Sequence, residues 1–230
     1  MHVLQMYRRG FFPMAEPAAA ASEGESGSGG GASQASLNWY YPLRRGIIPL
    51  DERFHLSHSL KRTLKRGVYA VSFDEDFDAV LAACARRPMT WINEEYMDFY
   101  RELHRLGLAH SVEARLGGEL VGGLYGLCMG SIFIGESMFH RAPDASKVCM
   151  AKLVERLKQQ SFSYIDTQIV NSFTQTFGAY EVPHREYMVM MKNALRRHCH
   201  FHPEDELGVE PQVELEGEGG KTSPEGMGDE

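Results

Sequence analysis

A carboxylate and a carboxamide stand two positions apart in an otherwise apolar stretch, "SYIDTQIVNS", residues 163–172. Side chains alternate along a strand, so Asp166 and Gln168 are predicted to share one face. Burying an unpaired polar group costs about 1–3 kcal/mol, so this placement needs a reason. One interpretation is a buried hydrogen-bond network that sets the strand register. The other is a reaction cleft that both side chains line.

A second polar position closes an apolar strand pattern in "IFIGESMFHRAPDASK", residues 132–147. Glu136 suits the lip of a cleft, although a solvent-exposed glutamate at a strand end is the simpler alternative. Phe139 stands where a G-x-S-x-G nucleophile elbow has its last glycine, which argues against a serine hydrolase. The stretch between Met138 and Lys147 lacks the glycine-rich turn that holds a pyrophosphate, which argues against a coenzyme A enzyme.

The histidine-rich segment "HCHFH", residues 198–202, invites a metal interpretation. It follows a predicted helix, and the sequence contains no C-x-x-C or H-E-x-x-H motif to complete a site. We therefore predict a frayed helix end and no metal.

The net charge of -7 over 230 residues conceals two unlike parts. Residues 203–230 hold ten acidic residues and one lysine, which leaves residues 1–202 at +2. A tail so polar and so charged is predicted to be disordered. The mildly basic remainder is compatible with an anionic partner.

The N-terminal stretch has arginines where a signal peptide needs an apolar core, and no apolar run reaches the roughly 20 residues that span a bilayer. The four cysteines show no close pairing pattern, as expected in a reducing compartment. These features predict a cytoplasmic protein with no membrane partner.

The chain divides into five predicted parts. They are an N-terminal arm (1–14), a flexible linker rich in Ala, Gly and Ser (15–37), a small N-terminal lobe (38–90), a catalytic domain (91–202) and the disordered acidic tail (203–230).

A basic helix is predicted in the small lobe, opened by His58 or Ser59 and ended by Gly67. Leu60 and Leu64 face inward in this pattern, and the outward positions are Lys61, Arg62, Lys65 and Arg66. Together with aromatic residues at Trp39, Tyr40, Tyr41 and Trp91, this face fits a single-stranded RNA end, although a merely solvated helix face is the commoner case.

The order of elements predicts the fold class. A strand and two helices precede antiparallel strands joined by glycine turns, after which helix, strand and helix follow. This order indicates an α/β or α+β protein with a mixed sheet flanked by helices, of the N-acyltransferase type.

Several long motifs then occur in one characteristic order. They include "MYRRGFFPM", "FHLSHSLKRTLKRGVYAVSFDEDF", "TWI", "GELVGGLYG", "GESMFHRAPDASKV", "IDTQ" and "GAYEVPHREY". In these the chain resembles the leucyl/phenylalanyl-tRNA–protein transferases over about residues 5–14 and 38–197. The resemblance implies transfer of a hydrophobic aminoacyl group from charged tRNA to a protein N-terminus that begins with Arg or Lys, without metal or cofactor. The product is marked for degradation by the N-end rule.

The resemblance also implies roles for residues. Asp166 and Gln168 match the pair that handles the attacking amine, and Glu136 matches an acidic residue that suits the cationic acceptor. The aminoacyl pocket maps to Met14, Leu124, Phe133 and Met138. Trp91 matches a position that stacks on the terminal adenine, and the four basic residues of the helix would meet tRNA phosphates.

Three departures from the family pattern lie near the N-terminus. The stretch "GLLAIGGDL" is missing, so the first lobe is truncated; Met14 stands where a tryptophan follows "FP"; and "YPLRR" replaces "SPDPR" at 41–45. These bear on the preferred aminoacyl group and leave two alternatives open. One is a non-catalytic binder of aminoacyl-tRNA 3′ ends, and the other is a small-molecule N-acetyltransferase.

Overall fold

The computed structural model describes residues 2–15, 37–86 and 92–203 of the chain. The helices in these ranges are α1 (His2–Arg8), α2 (His58–Arg66), α3 (Phe77–Ala85), α4 (Glu94–Arg105), α5 (Ala145–Gln159), α6 (Ser172–Gln175) and α7 (His184–Ala194). The strands are β1 (Phe12–Ala15), β2 (Leu37–Tyr40), β3 (Arg44–Pro49), β4 (Ala70–Phe73), β5 (Ala109–Leu116), β6 (Glu119–Met129), β7 (Ile132–His140), β8 (Tyr164–Gln168) and β9 (Tyr180–Pro183).

The larger sheet has seven strands in the order β4-β5-β6-β7-β8-β3-β9, and β1 and β2 form a separate antiparallel pair. Neighbours in the larger sheet are antiparallel except β7 and β8, which run parallel and are joined by α5. A parallel pair needs such a crossover, because a tight turn reverses the chain. Helix α5 covers one face of the sheet and α3 and α4 the other, which confirms the predicted mixed sheet flanked by helices.

The predicted glycine turns join β5, β6 and β7 into an antiparallel unit. Gly117 and Gly118 connect β5 to β6, and Gly130 connects β6 to β7, all three with positive φ. Glycine adopts this left-handed backbone at little steric cost, so the turns are encoded locally. The prediction of two or three antiparallel strands here is confirmed.

The basic helix α2 begins at His58, one of the two predicted starting residues. Ser57 is its N-cap, and the Ser57 hydroxyl accepts a hydrogen bond from the Leu60 N–H. Gly67 ends the helix with a φ of 61°, as predicted. Leu60 is buried and Leu64 half-buried, while the four basic residues are exposed.

Two strands that the sequence did not reveal, β3 and β9, complete one edge of the sheet. Both are short and end in proline, which argues against a strand in the sequence. The pairing of β3 with β8 and with β9 defines them. Both β3 and β4 come from the predicted N-terminal lobe, 38–90, and lie in the same sheet as β5–β8. The division of the chain into domains remains a prediction.

The N-terminal arm holds α1 and β1, and β1 pairs with β2 across the predicted linker. Most of that linker and nearly all of the acidic tail fall outside the described residues. Among the residues that are described, no helix has the length and apolar character needed to cross a bilayer.

Candidate active site

A cavity of about 490 Å³ lies where β7 and β8 separate. Their parallel pairing covers three positions and stops at Ile134 opposite Asp166. Beyond that point β7 continues beside β6 to His140, and β8 ends at Gln168. Gln168 and Glu136 both line the cavity, so the structure brings two of the predicted site residues together.

Much of the cavity wall is apolar. The apolar side chains that line it are Leu124, Phe133, Met138, Phe139, Met150, Leu153, Ile165 and Phe173. Three of the four residues predicted for the aminoacyl pocket are in this set. The fourth, Met14, lies in β1 opposite Asn38, and its side chain is outside the described part of the structure.

Asp166 is sealed in the interior and takes part in a dense set of hydrogen bonds. The Arg45 guanidinium donates from Nε to Oδ1 at 2.8 Å and from Nη2 to Oδ2 at 2.7 Å, and the Tyr187 hydroxyl donates to Oδ2 at 2.6 Å. Arg45 is itself fully buried, and its Nη1 donates to the Gly10 carbonyl at 2.9 Å. Asp166 therefore has no surface with which to meet a substrate, and it acts through its neighbours.

The spacing of Asp166 and Gln168 has a structural explanation. The Gln168 N–H donates to Asp166 Oδ1 at 2.8 Å, which is the turn that an aspartate makes with the backbone two residues on. Gln168 has a φ of 58°, so it leaves the strand conformation and the predicted alternation ends there. Such a backbone costs about 1–3 kcal/mol and clusters at functional sites. The hydrogen bond to Asp166 holds Gln168 in this left-handed backbone conformation.

The Gln168 side chain is oriented by β7. Its Nε2 donates to the Gly135 carbonyl at 2.8 Å. One N–H of the amide is engaged in this way, and the amide oxygen remains able to accept a hydrogen bond from a substrate.

Glu136 is partly buried beneath three tyrosines. Tyr7 donates to its Oε1 at 2.7 Å and Tyr96 to its Oε2 at 3.2 Å, while the Tyr100 hydroxyl lies 2.9 Å from that of Tyr7. Desolvation raises the pKa of Glu136 to about 7, and the tyrosine hydrogen bonds oppose the rise. A carboxylate with such a pKa can exchange protons near neutral pH.

We expect Tyr7→Phe to raise the pKa of Glu136 further, because the Tyr7 hydrogen bond favours the ionised form. The acid limb of activity against pH should then move to higher pH, with little loss at the alkaline plateau. The measurement is kcat/KM over a pH series. Tyr69→Phe, whose hydroxyl donates to the Pro143 carbonyl, is the control and should leave the limb in place. If the acid limb of Tyr7→Phe kept its position, a group other than Glu136 would be responsible for that limb.

The structure describes some, but not all, of the residues predicted to face RNA. Trp91 lies outside the described residues. Trp39 is half-buried, and its ring lies edge-on to that of Tyr7; Tyr41 is exposed. Helix α2 contacts the segment just before α5, since the Thr63 hydroxyl lies 3.5 Å from Asp144 Oδ2, and Asp144 is two residues before the cavity-lining residue Ser146.

Sequence reasoning missed Arg45, Tyr187 and Tyr7 as site residues. Arg45 and Tyr187 lie in stretches noted above, "YPLRR" and "PHREY", but neither motif states that it meets Asp166. Tyr7 lies 129 residues from Glu136 along the chain. No local pattern reports such contacts.

The fold and the cavity are those of an α/β protein with a pocket at the opening of its central sheet. A mixed sheet opens between a parallel strand pair, and polar groups face an apolar pocket at the opening. The crystal structure of FemX shares this fold, with a TM-score of 0.51 and 10% identity over 62% of this chain and 60% of that one.

The chain belongs to the leucyl/phenylalanyl-tRNA–protein transferase family. The family's sequence model matches residues 47–192. The Herpetosiphon aurantiacus leucyl/phenylalanyl-tRNA–protein transferase is 45% identical over 83% of this chain and 91% of its own length. The Rubrobacter xylanophilus protein of the same name is 46% identical over 84% of this chain and 93% of its own. The predicted family and aminoacyltransferase class are confirmed.

Proposed function

We propose that the protein transfers leucine or phenylalanine from charged tRNA to the N-terminal Arg or Lys of acceptor proteins and so marks them for degradation. The observation that carries this proposal is the placement of Gln168 and Glu136 at the mouth of an apolar cavity, in a member of this family. The cavity lies within the 300–1,000 Å³ range of small-molecule sites, which suits one hydrophobic side chain with its ester.

The proposed reaction is the aminolysis of an ester. The acceptor α-amine forms a bond to the aminoacyl carbonyl carbon, and the bond from that carbon to the ribose oxygen of tRNA breaks. One proton leaves the amine, and the ribose oxygen takes one to become a hydroxyl. Because the ester is already activated, positioning and proton transfer suffice and no covalent enzyme intermediate is needed.

Each polar residue has a distinct part in this step. The Gln168 amide oxygen accepts a hydrogen bond from the amine and orients it. Glu136, whose pKa of about 7 lies just below that of an α-amine at about 7.7–8, accepts the proton. Asp166 and Arg45 are positioning residues that keep Gln168 in its left-handed backbone. Leu124, Phe133 and Met138 hold the aminoacyl side chain.

The exposed basic face of α2 is proposed to bind tRNA phosphates. Changing Lys61, Arg62, Lys65 and Arg66 together to alanine should weaken tRNA binding and make it less salt-dependent. Each phosphate contact contributes roughly 0.9 to the slope of log K against log salt, so a decrease of about 2–4 is expected. The measurement is tRNA affinity over a salt series. Arg105→Ala, an exposed arginine on α4 paired with Glu102, is the control, and an equal effect there would contradict the proposal.

The direct test is a labelling assay. Purified protein, tRNA charged with radiolabelled Leu, Phe or Met, and a reporter beginning with Arg or Lys should give labelled reporter. A reporter with a blocked N-terminus and the Gln168→Ala variant should both stay unlabelled. Charged tRNA that binds without any labelling would favour the non-catalytic binder.

We also propose the compartment in which the protein acts and what the reaction requires. We place the protein in the cytoplasm, where charged tRNA is available. Its four cysteines, none of which forms a disulfide in this structure, suit a reducing compartment. The proposed transfer step uses neither a metal nor a cofactor.

A further inference from the structure

Three side chains from separate parts of the chain converge away from the transfer cavity. Asp74 follows β4, His110 lies in β5, and His202 comes from the segment after α7. The Asp74 Oδ2 atom lies 2.7 Å from His110 Nδ1 and 2.6 Å from His202 Nε2. The three candidate ligand atoms lie within 4.8 Å of one another, so a single metal ion could contact all of them.

Both ring nitrogens of His110 lie within hydrogen-bond distance of an oxygen atom. Its Nδ1 faces the Asp74 carboxylate, and its Nε2 faces the Gly107 carbonyl at 3.0 Å, so both nitrogens point at acceptors. A neutral imidazole has only one N–H. The tautomer that donates its Nε2–H to Gly107 presents the Nδ1 lone pair to a cation between His110 and Asp74.

The surroundings match those of a metal ligand set. Metal-bound histidines usually donate their other N–H to a backbone carbonyl, which Gly107 supplies. The second oxygen of Asp74 accepts the Ser111 N–H at 2.6 Å, and Phe201 stacks on the His110 ring with centroids 4.2 Å apart. The side chains of Asp74, His110 and His202 are 12%, 5% and 22% exposed, so the site is sheltered and reachable.

We propose that Asp74, His110 and His202 bind a divalent transition-metal ion of the zinc class. Two imidazoles and one carboxylate suit such an ion and leave a position for water. Binding requires both rings to move back from Asp74 Oδ2, since zinc lies about 2.0–2.2 Å from each ligand. This site is distinct from the transfer step and does not depend on the proposed function.

The ion would fasten the C-terminal segment to the sheet. Phe201, next to His202, packs against His110 and also stacks on Phe133, with centroids 6.0 Å apart. Phe133 is a wall of the transfer cavity. A metal ion at this site would therefore stabilise the position of Phe133 through its contact with Phe201.

The test uses the full-length, tag-free protein, stripped with a chelator and titrated with Zn²⁺ by calorimetry and with Co²⁺ by visible absorption. One ion per chain, Co²⁺ absorption in the visible range and a higher melting temperature with Zn²⁺ are expected. Asp74→Asn and His202→Ala should each weaken binding at least tenfold and remove the thermal shift. Asparagine tolerates the left-handed backbone of Asp74, whose φ is 58°, so that variant should fold.

His200→Ala is the matched control, an imidazole in the same segment that is not part of the cluster. It should bind Zn²⁺ within twofold of the parent protein. Equal losses in His200→Ala and His202→Ala with none in Asp74→Asn would assign binding to the "HCHFH" segment alone and overturn the proposal. An absence of binding in the parent protein would also overturn the proposal.

Discussion

The Glu136→Gln variant is expected to transfer aminoacyl groups about 10²–10⁴-fold more slowly than the parent protein, the range that follows from removing a general base. Glutamine has nearly the same shape; its amide oxygen can still accept from one of the two tyrosines, and its amide nitrogen can donate to the hydroxyl oxygen of the other. The site should therefore keep its form. The loss should fall on kcat, with tRNA affinity unchanged. Single-turnover transfer to an Arg-initiated reporter measures the rate, and filter binding measures the affinity.

The pH dependence of the same variant is a second test of the role. In the parent protein the rate should rise with pH through about 7 as Glu136 ionises, and this limb should be missing in Glu136→Gln. Glu181→Gln, an exposed carboxylate that pairs with Arg44, is the control and should keep both rate and limb. If only KM for the acceptor rose, Glu136 would bind the cationic N-terminal residue and another group would take the proton.

Stability should change in the opposite direction to activity in Glu136→Gln. Burial raises the pKa of Glu136 from its usual 4.5 to about 7, so the unfolded chain ionises first as the pH rises. The parent protein therefore loses folding free energy between these two values, and the glutamine variant does not. Urea denaturation should show the variant to be more stable above pH 7, with the difference shrinking toward pH 4.

Of the substitutions proposed for this protein, Arg45→Met should lower the free energy of unfolding the most. Arg45→Met leaves the Asp166 carboxylate buried without its counter-ion, and such changes cost about 3–5 kcal/mol. Arg44→Met is a neighbouring control. That arginine pairs with Glu181 on the exposed edge, where an ion pair contributes about 0–1 kcal/mol. Equal midpoints in urea for the two variants would refute the buried pair.

A double variant separates the structural from the functional part of this pair. Arg45→Met combined with Asp166→Leu replaces both charges by apolar groups and should regain part of the lost stability. It should not regain transfer activity, because Gln168 no longer has the carboxylate that holds its N–H. Recovered activity would show that Asp166 matters only for folding.

Many features of this protein follow from local sequence. The glycines at 117, 118 and 130 encode the turns of the antiparallel unit, because only a residue without Cβ adopts those backbones freely. The alternation of Leu60 and Leu64 with lysines and arginines determines the buried and exposed sides of α2. The family motifs located Gln168, Glu136 and three walls of the cavity by position. The strands β3 and β9 were not predicted, since each is short and ends in proline, which cannot donate a hydrogen bond to a neighbouring strand.

The tertiary structure alone decided how these residues act. Arg45 meets Asp166 across 121 residues, Tyr7 meets Glu136 across 129, and His202 meets Asp74 across 128. Such contacts depend on the order of strands in the sheet, which follows from burying whole apolar faces and leaves no mark in a short segment. Asp166 and Gln168 look like one polar pair in the sequence. Folding makes the first a buried support and leaves the second at the cavity, because Asp166 faces Arg45 and Tyr187 while Gln168 turns out of the strand.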